Sequence, residues 1–106
     1  TYIEGASYRG EFADCTLHIA TAQSGSLEIE LIQALGGRSP HVEATERGAF
    51  GMHHVRYRIK EIENYIKTAQ SCGYEVIWYK QWDKATKFGY LERAGDPLII
   101  EFLEMP

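Results

Sequence analysis

Glu30 and Glu101 each stand in the middle of a short apolar run, Leu27-Glu28-Ile29-Glu30-Leu31-Ile32-Gln33 and Leu98-Ile99-Ile100-Glu101-Phe102-Leu103-Glu104. A carboxylate in such a run is costly to bury without a partner. The runs are related by an offset of 71 residues, so the two glutamates occupy equivalent places and call for a common partner. A divalent cation held by carboxylates and an imidazole is one solution, with His54 the candidate imidazole. Residues 52–59 alternate: His53, Val55, Tyr57 and Ile59 face one way, His54, Arg56 and Arg58 the other. The first set suits packing beneath a helix, which leaves His54 on the opposite side. Mixed nitrogen and oxygen donors suit Zn, Ni, Co, Mn or Fe(II), and the sequence does not select among them.

Four further groups carry possible chemistry. His18 shares its parity with Thr16 and Ala20, and an imidazole there is a candidate catalytic base near neutral pH. Its plainer reading is a strand histidine lining a polar pocket. Arg56 and Arg58, on the His54 side, suit a carboxylate or other anionic substrate, or equally a solvated strand face. His53 reads as a packed, hydrogen-bonded neighbour, and His41 as an exposed residue of a linker helix. Trp78, Tyr79, Trp82, Phe88 and Tyr90 lie on two adjacent strands and read mainly as core.

The elements that must position these residues follow from alternation and turn chemistry. A weak strand over 3–9 precedes hairpin partners at 14–22 and 27–34, joined by Gln23-Ser24-Gly25-Ser26. After Gly36-Gly37, Ser39 is placed to cap a short helix that starts with Pro40. A strand at 52–59 leads to a helix over about 61–72, with Ile62, Tyr65, Ile66 and Ala69 at helical spacing and Gly73 as its stop. Strands at 75–82, 86–93 and 98–104 follow, the last turn being Gly95-Asp96-Pro97.

The same 71-residue offset pairs Leu17 with Phe88, Ile19 with Tyr90 and Tyr8-Arg9 with Tyr79-Lys80. The second unit therefore reads β-α-β-β-β over 51–106, and residues 1–50 supply the last three strands of a first unit plus the linker. By this repeat, a strand and helix of about twenty to thirty residues precede the sequence. Without them one sheet edge lacks a partner.

Three stretches carry a resemblance to the vicinal oxygen chelate superfamily, which includes glyoxalase I, methylmalonyl-CoA epimerase, bleomycin-resistance proteins and extradiol dioxygenases. They are Ile29 to Gly36 with Ser39-Pro40 behind it, Gly51-Met52-His53-His54-Val55 with the helix after it, and Leu98 to Phe102. The resemblance implies one α+β domain of tandem βαβββ modules forming a cup-shaped mixed sheet, the first module lacking its first strand and helix. It implies His54, Glu101 and Glu30 as ligands of a divalent metal, with a fourth ligand from the absent strand. The activity implied is that of a glyoxalase-like lyase or isomerase acting on a small carbonyl or thioester through an enolate, with His18, or a displaced Glu30 or Glu101, taking the proton. The alternatives on the same fold are a small-molecule-binding or resistance protein without turnover, and an extradiol-type dioxygenase. In the epimerases the place of His18 holds a carboxylate, so His18 is a departure. Pairing between chains in this superfamily implies a homodimer.

Composition narrows the classes. Hydrophobic residues at 44% and charged residues at 25% fit an ordinary globular domain. The net charge of −4 gives no basic footprint for nucleic acid. No apolar run nears the ~18 residues of a membrane span, and no signal peptide is visible. Cys15 and Cys72 form no CxxC pair and read as reduced, mostly buried thiols, in keeping with a cytoplasmic protein.

Overall fold

The structure is a computed structural model and describes residues 1–106. Seven strands and two helices run in the order β1 (Tyr2–Tyr8), β2 (Glu11–Ser24), β3 (Leu27–Gly37), α1 (Pro40–Glu46), β4 (His54–Arg58), α2 (Ile62–Ser71), β5 (Glu75–Gln81), β6 (Lys87–Arg93) and β7 (Asp96–Glu104). All strands join one curled sheet in the order β3-β2-β1-β5-β6-β7-β4. The two halves meet where β1 and β5 pair antiparallel through Ser7–Tyr79 and Tyr8–Trp78. The pairing of β4 with β7 is parallel and sets Arg56 beside Glu101.

The expected elements form, and the β2–β3 hairpin is longer than its apolar stretches suggest. β3 runs on to Gly37, at φ +86°, where an added Cβ would lie 2.1 Å from the Asp14 carbonyl oxygen. Only glycine fits there. Ser39 caps α1 by accepting the Val42 N–H at 3.3 Å, with Pro40 in the first turn. The start of α2 is capped from outside: the Ile62 N–H donates to Glu104 Oε1 at 2.8 Å. α2 lays Ile62, Ile66 and Ala69 over Leu91 and Phe102 on the outer face of the second half.

The inner face carries the main core. Ile3, Leu17, Trp78, Phe88 and Tyr90 pack together inside the curl, each side chain contributing about 1.5–3 kcal/mol by leaving water. Four expectations need correction. Tyr8 faces this core beside Trp78, while Tyr79 faces α2, so the equivalent strands β1 and β5 are one residue out of step with the 71-residue offset; β1 carries a register irregularity between Ile3 and Ala6. His41 is buried, 6% exposed. Cys72 is exposed and only Cys15 is buried. Trp82 is half exposed, with the Lys80 ammonium over its ring.

Candidate metal centre

Strand register explains what meets at the site. Tyr90, Glu101 and Arg56 are successive cross-strand partners on β6, β7 and β4, so their side chains share the inner face. His54 lies two residues before Arg56 on the same face. From the other half, Glu30 pairs with Thr21 and shares its face with Ile32 and Ile19. The curl carries this face over to the second half.

His54 Nε2 lies 3.3 Å from Glu101 Oε1 and 3.7 Å from Glu30 Oε1. Ligand atoms about 2.1 Å from a tetrahedral cation are about 3.4 Å apart, so these separations fit donors around a single ion. Glu101 is 3% exposed. Arg56 reaches into the same space: its Nε donates to Glu101 Oε1 at 3.0 Å and its Nη2 to Glu30 Oε2 at 3.3 Å. The cavity left in the cup is about 90 Å³, bounded by Leu17, Trp78, Phe88 and the charged groups.

The charges shape one another. Burial alone would lower the His54 pKa, but hydrogen bonds to Glu101 and Glu30 outweigh it and the value is raised. Glu30 is held below the usual carboxylate range by its hydrogen bond to His54, against desolvation and with help from Arg56. Burial pushes the Tyr90 hydroxyl well above 10, and the two carboxylates add to it. His41 falls to about 3 through burial and the nearby His53 and His54.

A second layer backs the site. The Tyr90 hydroxyl is 3.3 Å from His54 Nε2 and 3.1 Å from His41 Nε2. His53 Nδ1 is 2.9 Å from His54 Nδ1. The ligand atoms of His41, His53 and His54 lie within 4.8 Å of one another, so these rings too could hold a metal ion. Sequence reading undervalued His41 and Tyr90. The signal for His41 was its spacing of three from Ala44, which puts both on the buried face of α1. For Tyr90 it was a hydroxyl at mid-strand, which needs a partner once buried.

Two candidates lie elsewhere. His18 pairs with Gln33 on the outer face and is exposed, while its neighbours Leu17 and Ile19 face the cup. The expectation of a cup-facing catalytic base at His18 is overturned: Leu17 and Ile19, like their repeat partners Phe88 and Tyr90 on β6, take the inner face, so His18 points out. Arg58 is exposed and donates to the Pro106 carbonyl at 2.8 Å, away from the carboxylates, so its substrate-binding place is likewise not formed. Arg56 is in the cup but engaged with the two glutamates.

No helix is long and apolar enough to cross a membrane. A search of curated proteins gives no match. The sequence profile of the glyoxalase/bleomycin resistance protein/dioxygenase superfamily matches residues 4–90, from β1 into β6. With that match over most of its length, on a curled sheet of the kind the superfamily uses, the chain belongs to the glyoxalase/bleomycin resistance protein/dioxygenase superfamily.

Proposed function

We propose that the chain is a metal-dependent, glyoxalase-like lyase or isomerase acting on a small carbonyl or thioester substrate. One observation carries the reading: an imidazole nitrogen and two carboxylates from three strands approach within 3.3 and 3.7 Å inside one concave face. His54, Glu101 and Glu30 would hold a borderline divalent ion such as Zn, Ni, Co, Mn or Fe(II). When bound, such an ion supplies Lewis acidity to a carbonyl oxygen. The chain's own groups do the rest. With His18 outside the cup, Glu30 is the carboxylate that takes the proton next to the carbonyl: it is 17% exposed against 3% for Glu101, so substrate reaches it first. The Arg56 guanidinium turns from the glutamates to a substrate anion, because the present cavity admits few atoms while it stays. The wall of Leu17, Trp78 and Phe88 keeps water from the reacting carbon.

The open edge of β3 bears on the rest of the first module. Ile29 and Leu31 are exposed, whereas Ile100 and Phe102, 71 residues on, are covered by α2. This supports a further strand–helix pair of the β4–α2 kind on that edge, bringing a fourth ligand, or a homodimer that covers it.

The test is proton exchange in D2O at the acidic carbon of a hemithioacetal or a methylmalonyl thioester, with each of the five ions. Exchange in the parent and its loss in Glu30→Gln are expected. No exchange with any ion ends the catalytic reading. A second reading is favoured by Arg56 itself, which already offsets both carboxylates at 3.0 and 3.3 Å: a protein that binds an anionic small molecule without metal or turnover. Tight ligand binding in chelator-treated protein, with no uptake of cations, would select it.

A further inference from the structure

The contact between two consecutive histidines is not what a strand provides, since neighbouring side chains there point to opposite faces. β4 begins only at His54, and the chain before it bends through Gly51 at φ +134°. The His53 carbonyl accepts the Ile99 N–H at 3.3 Å, so His53 sits at the very start of the ladder, where its ring turns toward His54. Their Nδ1 atoms lie 2.9 Å apart. Two lone pairs, or two protons, would repel at that distance, so one ring must donate to the other.

Which ring donates follows from the other nitrogen of His54. An imidazole that gives one nitrogen to a cation keeps its proton on the other. His54 Nε2 faces Glu30 and Glu101. We propose that His53 is the positioning residue of this site: its Nδ1 accepts a hydrogen bond from His54 Nδ1–H, which leaves His54 Nε2, the nitrogen on the side of the two carboxylates, to give its lone pair to a cation. This rests on the reading of His54 as a metal ligand. His53 then carries its own proton on Nε2, a buried atom with no hydrogen-bond partner. The His53 ring is itself held against His41, centroid to centroid 5.1 Å.

The partner is chemically apt. Ligand imidazoles usually donate to a carboxylate or a carbonyl. A third carboxylate beside Glu30 and Glu101 would add like charge to a site that already holds two. A neutral imidazole fixes the ring without adding any.

The test uses ¹⁵N-histidine-labelled protein, metal-free at pH 6 and loaded with Zn²⁺, together with competition titrations of Zn²⁺ on the parent, His53→Phe and His53→Asn. In both states of the parent, His53 should show its proton on Nε2, and in the loaded state His54 should show its proton on Nδ1. Loss of the acceptor in His53→Phe should weaken Zn²⁺ binding about 10–100-fold. His53→Asn, whose amide oxygen can stand in the place of Nδ1, should recover most of that. His53 protonated on Nδ1, a cation shared by the Nδ1 atoms of His53 and His54, or equal affinity in the parent and a folded His53→Phe would each overturn the proposal. A parent that binds no Zn²⁺ removes the metal reading instead, and the metal-free tautomer of His53 still decides this one.

Discussion

Removing Arg56 separates the roles of charge partner and cation most cleanly. Arg56→Met keeps the bulk of the stem along the wall and deletes the guanidinium that holds Glu101 at 3.0 Å and Glu30 at 3.3 Å. Deleting one partner of a fully buried pair costs about 3–5 kcal/mol. Arg56 is one-third exposed and Glu101 keeps His54 at 3.3 Å, so the expected loss is nearer 2 kcal/mol. For a domain of this size that lowers Tm by about 10 °C in metal-free protein. A cation then meets two carboxylates with no competing guanidinium, so Zn²⁺ should stabilise the variant more than the parent. At a hundredfold excess over Kd, binding contributes about 2.7 kcal/mol and returns most of the lost stability. Thermal unfolding of both proteins, chelated and with graded Zn²⁺, reads the effect. A variant as stable as the parent in chelator, or one that gains nothing from Zn²⁺, would refute the reasoning.

Acid stability should depend on His41. A pKa of about 3 means the folded state refuses a proton that the unfolded chain takes below 6.5, so stability is present above 6.5 and is lost as pH falls toward 3. Between pH 6.5 and 4.5 this is worth about 2–3 kcal/mol; His54, being raised, has its window above 6.5 and adds no slope there. Denaturant titrations across that interval should show a shallower loss in His41→Phe, and an unchanged slope would contradict it. Gly37→Ala should cost about 3 kcal/mol or more, since its Cβ would meet the Asp14 carbonyl at 2.1 Å; a Tm within a few degrees of the parent would mean that the backbone there differs. His18→Ala should change stability by less than about 0.5 kcal/mol and leave Zn²⁺ affinity and proton exchange unaltered; loss of exchange with the fold intact would return His18 to the chemistry.

The repeat made much of this legible. Alternation over 52–59 set His54 and Arg56 on one face, and the 71-residue offset tied Glu30 to Glu101; the curl of the sheet brings them together. His18 was misread because alternation gives parity and not which side is covered. In β4 the inner face is the polar set, and Tyr57 lies on the outer one, its ring 6.5 Å from that of Phe102. In β2 the inner face is the apolar set, Leu17 and Ile19, as it is Phe88 and Tyr90 in β6, so the repeat itself held the sign of this parity. The spacing of His41 from Ala44 marks a shared face of α1, and what that face docks against, Trp78 and Tyr90 for His41, depends on the tertiary fold and not on the local pattern. The His53–His54 contact likewise needs the bend before β4, and a strand drawn from residue 52 hides it.

Anomalous diffraction at the zinc edge, from crystals of this protein grown with Zn²⁺, bears most directly on the convergence of His54, Glu101 and Glu30. A single peak about 2.0–2.2 Å from His54 Nε2 and from one oxygen of each glutamate, with the Arg56 guanidinium swung aside, is the expected result. No peak in the cup, with Arg56 still bridging both carboxylates, or a peak among His41, His53 and His54 alone, would contradict it.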